Sequence, residues 1–144
     1  MTSLKVSVQS GRKQMTILDI PYWEVKSGDR VALFGPSGCG KSTLLYALAG
    51  LLPVSSGTLT VCGHELQGLS EVERDRFRAI HIGFIYQNFN LLHGFTVLEN
   101  VLLGMTLSPD KANQQTARRL LTEVGLSHRI QQYPLRMSAR QQQR

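Results

Sequence analysis

Apolar and polar residues alternate from Leu4 to Val8, and a second apolar-rich run extends from Thr16 to Val25 before the turn residues Ser27-Gly28-Asp29. Both runs predict extended chain, and together they form a β-rich preface. Val31 to Phe34 is a short, wholly apolar run of the kind that forms a buried strand. A helical pattern follows from Lys41 to Leu51, ended by Gly50 and Pro53. Thr58 to Cys62 reads as a further strand after the turn Ser55-Ser56-Gly57. Ser70-x-x-Glu73 is a capping box that opens a short charged helix, after which Ile80 to Tyr86 returns to strand.

The texture changes near Gln87 to Leu91. Thr96-x-x-Glu99 is a second capping box, and Pro109 after Ser108 fits the first turn of another helix. The apolar stripe of that helix is Ala117, Leu120, Leu121 and Val124, and Gly125 suits the left-handed position just past its end. Leu91 to Arg136 is therefore predicted to be mainly helical. No internal repeat or low-complexity linker interrupts it.

A hydrophobic fraction of 42% over 144 residues suits one globular domain with a real core. The longest apolar stretch, Leu44 to Val54, is too short to span a bilayer, and Met1 to Gln9 lacks the apolar core of a secretory signal, so a cytosolic chain is the default. Cys39 and Cys62 have no metal-ligand spacing and read as reduced thiols. His64, His81, His93 and His128 are too scattered to suggest a metal site. The net charge of +6 is dispersed, and Arg74, Arg76 and Arg78 alternate with Glu73 and Asp75 as on a solvated face. No nucleic-acid motif accompanies it, so nucleic acid is not an expected partner; the arginines from Arg118 to Arg144 would equally serve an anionic surface.

The most informative segment is Gly35-Pro36-Ser37-Gly38-Cys39-Gly40-Lys41-Ser42-Thr43, a complete G-x-x-x-x-G-K-[ST] loop between the Val31 strand and the Lys41 helix. Its glycines permit backbone angles that turn successive N–H groups toward phosphates, where a Cβ would collide with the ligand. Lys41 would place its ammonium between the outer phosphates, Ser42 would offer its hydroxyl to Mg²⁺, and the helix dipole would add to the attraction. A glycine-rich turn without nucleotide is the plainer reading, but strand, loop and helix in sequence match what the motif requires. ATP and Mg²⁺ are the expected ligands.

Three segments in order, Gly35 to Thr43, Ile82-Gly-Phe-Ile-Tyr-Gln87 and Met137-Ser-Ala-Arg-Gln141, give the chain its resemblance to the first part of ABC-transporter ATPases. Gln87-Asn-Phe-Asn-Leu-Leu92 followed by Thr96-Val-Leu-Glu-Asn-Val101 is similar to the branch that drives lipoprotein release, macrolide export and cell-division-type complexes. The resemblance implies an α/β P-loop NTPase of ABC type: a RecA-like core with an N-terminal antiparallel β-layer and a helical subdomain, incomplete at the C-terminus. Residues 1–90 would be the core and 91–144 the helical subdomain up to the signature region. It further implies that Lys41 and Gln87 are catalytic, that Ser42 and Gln87 serve Mg²⁺, and that Ser138 reaches nucleotide across a dimer. A surface glutamine after an edge strand is the plainer reading of Gln87 alone. The implied partners are ATP, a transmembrane permease contacted near Gln87 and the helical subdomain, and a second copy or complementing half. The implied place is the cytoplasmic face of the membrane.

Three departures qualify the resemblance. The family's Leu-Ser-Gly-Gly-Gln is Met137-Ser138-Ala139-Arg140-Gln141 here, so Arg140 adds bulk where bare backbone is expected, and a weakened trans site follows unless its guanidinium substitutes as a phosphate ligand. The chain stops at Arg144 without the acidic Mg²⁺ residue, the catalytic glutamate or the switch histidine, which predicts nucleotide binding with little turnover. The same stop would leave the edges of the Val31 and Ile82 strands unpaired and the chain poorly soluble or partner-dependent. An aromatic residue for stacking adenine is not evident near Val8 to Gln14, and Tyr22 and Trp23 read as packing residues of the β-layer. A hydrolysis-deficient remnant or regulatory nucleotide-binding module is the alternative function. A small P-loop kinase fits less well, since it needs an acceptor pocket and an arginine-bearing lid.

Overall fold

In the computed structural model the chain is described over residues 1–11, 13–106 and 113–144, with Ser10 described by its backbone alone. It forms two compact units, Met1–His81 and Ile82–Arg144. In the first, β1 (Thr2–Ser10) pairs antiparallel with β2 (Lys13–Tyr22) and, on its other edge, with β3 (Ser56–Thr58). The expected extended runs are thus present, although β2 stops at Tyr22. Pairing of Leu4 with Ile20 and of Val6 with Leu18 puts Leu4, Val6 and Leu18 on the buried face, where they meet the buried Leu44, Ala47 and Leu59 of the same unit's core.

Gly57 lets β3 lie against β1. With φ at 84°, a Cβ there would stand 2.1 Å from the Ser3 carbonyl oxygen and 2.7 Å from that of Thr2. No side chain fits that gap. The strand expected over Thr58 to Cys62 is divided instead: Leu59 is buried, and β4 (Thr60–Val61) turns back into β5 (His64–Glu65). The turn is Cys62-Gly63, with φ of 48° and 79°. Two successive positive φ values are what a two-residue hairpin of the right twist demands, so Cys62 leaves the strand.

Helix α1 (Lys41–Leu48) ends at Gly50 as expected, one turn short of Leu51. The Leu51 amide donates to the Tyr46 carbonyl at 2.8 Å and the Gly50 amide to that of Ala47 at 2.9 Å, the paired bonds of a Schellman motif. The Arg78 guanidinium donates to the Gly50 carbonyl at 2.9 Å, so part of the charged α2 (Glu71–His81) caps α1 rather than facing water.

Two expected strands are corrected. Ile80 and His81 finish α2, while residues 82–86 and Val31–Phe34 join no ladder. A strand is defined by its neighbour, and among the described residues neither segment has one. Phe34 is 90% exposed and Ile85 is 96% exposed, so these runs keep the apolar composition of buried strands without the burial.

In the second unit α3 (Val97–Thr106) and α4 (Gln114–Glu123) pack through Val97, Leu98, Ala117 and Leu121, joined by Leu126 and Met137. Of the predicted stripe, Ala117 and Leu121 are buried, but Leu120 and Val124 are exposed at 40% and 38%. The i, i+4 pair faces the core and the adjacent row does not. Gly125 has φ of 71° and closes α4 with bonds from Leu126 to Leu121 at 2.7 Å and from Gly125 to Thr122 at 2.9 Å, a second Schellman motif. Asn113 caps its start, accepting from Gln115 and Thr116; the start expected at Ser108-Pro109 lies outside the described residues.

Both predicted capping boxes close. Glu73 accepts from the Ser70 hydroxyl at 2.6 Å and amide at 2.8 Å, and Glu99 from the Thr96 amide at 2.7 Å and hydroxyl at 2.8 Å. The Ser70 hydroxyl, then its amide, holds the Glu73 carboxyl below its ordinary value; for Glu99 the Thr96 amide acts first and the hydroxyl second. A carboxylate whose folded value is lowered adds stability above its ordinary range, and that contribution is lost as pH falls through the lowered value. Urea melts taken below about pH 4.3 are therefore expected to show falling stability, with a flatter profile in that window for a Glu73→Gln, Glu99→Gln double variant. Gly57→Ala is expected to destabilise the first unit by at least about 1–3 kcal/mol in the same assay.

Candidate functional site

Residues 35 to 40 descend from the exposed Val31–Phe34 segment through a turn into α1. Gly38 and Gly40 carry φ of 81° and 92°. Gly40 is the N-cap of α1 and is buried: a Cβ on it would lie 2.7 Å from Leu18 Cδ2 and 3.4 Å from the Ile17 carbonyl oxygen. The β-layer thus supports the loop from behind, leaving Gly35, Pro36, Ser37, Gly38 and Cys39 exposed.

The start of α1 differs from those of α2, α3 and α4. No side chain caps it and no acidic residue lies in its first turn, whereas Ser70, Thr96 and Asn113 serve the other helices. The first intrahelical bond runs from Leu44 to Gly40 at 2.9 Å, so the amides of Lys41, Ser42 and Thr43 precede the ladder and carry the positive end of the helix dipole. Lys41 folds back over the loop, donating to the carbonyls of Gly35 at 2.8 Å and Pro36 at 2.7 Å, with Cys39 Sγ at 3.5 Å. Ser42 is exposed and Thr43 half-buried. The amides of Ser37, Gly38 and Gly40 to Thr43 stand beside a cation and a hydroxyl, while the Cys39 amide donates to the Pro36 carbonyl at 3.4 Å.

The other expected site residues stand in the second unit. Gln87 is exposed at a bend. Ser138 is exposed and occupied locally: its hydroxyl accepts from the Gln141 amide at 3.3 Å, and the Gln141 side chain accepts from the Ser138 amide at 3.0 Å, a capping box at the head of α5 (Ala139–Gln143). Ala139 and Arg140 occupy helical positions, which side chains tolerate, so the loss of two glycines costs the local backbone nothing. Tyr22, expected to pack in the β-layer, is instead 65% exposed, because β2 ends there and its hydroxyl reaches Glu24.

Asn100 was not anticipated. Its side-chain oxygen accepts from the Leu92 amide at 2.8 Å, and its amide group is shared among the carbonyls of Leu92, Phe95 and Thr96 at 3.0 to 3.1 Å. One side chain ties the segment after Gln87 to α3. An asparagine inside a helix, where its propensity is poor, was the available signal. Beside it the unit has an open cleft of about 500 Å³ lined by Tyr86, Phe89, Leu92, Val101, Leu126 and Met137 among others.

A family model described as ABC transporter matches residues 18–144. The chain belongs to the ABC transporter family. Among its relatives, the lipoprotein-releasing system ATP-binding protein LolD of Gluconobacter oxydans is 46% identical over 140 residues, covering 94% of this chain and 60% of that protein. The uncharacterized ABC transporter ATP-binding protein YbbA of Escherichia coli is 40% identical over 143 residues, covering 98% of the chain and 63% of the relative. Among solved structures, the dimeric ATP-binding cassette MJ0796 bound to ADP and Pi superposes with a TM-score of 0.87 at 27% identity, over 98% of this chain and 63% of that one. The ABC-type α/β fold expected from the sequence therefore holds, and the chain spans about 60–63% of the length of these relatives.

Replacing Asn100 with Ala removes four hydrogen bonds, three of them exposed and one part-buried. It is expected to lower the stability of the helical unit by about 0.5–1.5 kcal/mol, read by urea denaturation together with faster exchange of the Leu92 amide.

Proposed function

We propose that this chain is the nucleotide-binding part of an ABC transporter, taking Mg-ATP at Gly35 to Thr43 and coupling it to a membrane permease. The observation that carries the reading is the start of α1. An uncapped helix N-terminus, preceded by left-handed glycines and covered by the Lys41 ammonium, offers an anion all the donors that the other helices satisfy with side chains.

Lys41 would exchange its loop carbonyls for the outer phosphates, and Ser37, Gly38 and Gly40 to Thr43 would contribute amides. Mg²⁺ prefers hard oxygen donors, of which the exposed Ser42 hydroxyl is one. The bound ion would neutralise charge on the phosphates. Gln87 and the helical subdomain following residue 90 form the proposed permease contact, supported by the apolar cleft beside the Asn100 clamp. No helix among the described residues is long and apolar enough to cross a membrane, which fits a peripheral subunit on the cytoplasmic face. The dimeric form of MJ0796 supports a second copy as partner, with Ser138 directed to its nucleotide. A second reading, a hydrolysis-deficient binding module, is favoured by Arg140 in the signature segment and by the engagement of Ser138 with Gln141.

Thermal unfolding with and without Mg-ATP tests the binding claim. Saturation at a hundredfold excess over Kd stabilises the native state by about 2.7 kcal/mol. The wild-type melt should rise and the Lys41→Ala melt should not; equal responses in the two proteins would overturn the assignment.

A further inference from the structure

Beyond nucleotide binding, the first unit gathers two metal-ligating side chains from distant parts of the sequence. His64 opens β5 in the Cys62-Gly63 hairpin, and His81 closes α2. Their ring centroids lie 5.1 Å apart with the planes inclined at 44°. Phe77, one turn before His81 and buried, contacts both rings, at 5.6 Å from His64 and 5.1 Å from His81. It is the floor that holds the two imidazoles together.

Two observations separate this pair from ordinary aromatic packing, and a third is compatible with a shared ion. Both histidines are exposed, so an ion has access to them. Among the described residues neither imidazole has a hydrogen-bond or ion-pair partner, so no nitrogen is committed to another group. Two imidazoles ligating one tetrahedral ion through bonds of about 2.0–2.1 Å have ring centroids about 5 Å apart, so the 5.1 Å separation is compatible with a shared ion, as it is with the packing of Phe77 on His81. No third histidine, cysteine or carboxylate joins them in a group able to hold a metal among the described residues, so solvent would complete the coordination.

We propose that His64 and His81 form a two-imidazole site for a divalent transition metal of the kind imidazole prefers, Zn²⁺ or Ni²⁺. The ion clips the tip of the β4–β5 hairpin to the C-terminal end of α2. It is distinct from the Mg²⁺ site, which draws on oxygen donors.

Titration of the full chain with NiCl₂ by calorimetry, under reducing conditions and without nucleotide, tests the site. One equivalent is expected to bind the wild type, and binding is expected to fall at least tenfold in His64→Ala and in His81→Ala. His64→Gln and His81→Gln, which keep a polar side chain at these exposed positions, should lose it equally while circular dichroism stays unchanged. His93→Ala and His128→Ala should bind as the wild type does. Absence of wild-type binding, or retention in both the His64 and His81 variants, would overturn the proposal.

Discussion

The burial of Gly40 against β2 is the contact on which the glycine-rich loop and the start of α1 depend. A strand hairpin has no direct part in holding phosphate, yet the Leu18 side chain and the Ile17 carbonyl determine how closely the chain can pass as it enters α1. Only a residue without Cβ, able to hold φ near 90°, can be both the last member of the loop and the first cap of the helix. The β-layer is thereby a template for the loop, and the free helix terminus is its product. Core burial by Leu4, Val6 and Leu18 serves the same end by keeping β2 in place.

The second unit solves the same problem of helix termini by a different route. Its α3 begins with Thr96 and Glu99 satisfying one another, while the amides of Val97 and Leu98 donate to the carbonyls of Gln132 and Ile130 at 2.8 and 3.0 Å. Backbone from late in the chain thus completes a helix from the middle, and Asn100 completes the loop before it. Every donor at this end is spent on architecture. At α1 the equivalent donors have no such partners, although α2 of the same unit is closed by Ser70 and Glu73.

What was legible in the sequence was local. Capping boxes at Ser70 and Thr96 and terminating glycines at Gly50 and Gly125 involve residues within one turn of each other, so their spelling determines their geometry. The phosphate loop was legible for the same reason. Val31–Phe34 and Ile82–Tyr86 carry the composition of strands, but ladder pairing is a relation with a distant segment, and composition cannot supply the neighbour. The division of Thr58–Cys62 escaped notice because Cys62 adopts a conformation that glycine usually takes. Tyr22 and the outer half of the Ala117 stripe failed on burial, which is decided by what packs opposite. His64 and His81 looked scattered for that reason too: the hairpin and helix that unite them are close only once folded.

The folded-back Lys41 gives the cradle a character that its motif alone does not convey. Its ammonium is already solvated by the Gly35 and Pro36 carbonyls, so any incoming anion competes with an internal one and is credited only with the difference. A small monovalent anion offers the lysine little more than the loop does. A polyphosphate, able to engage the helix amides and the ammonium together, would offer it more. On the proposed reading, the loop would thus favour charge-dense anions over singly charged ones.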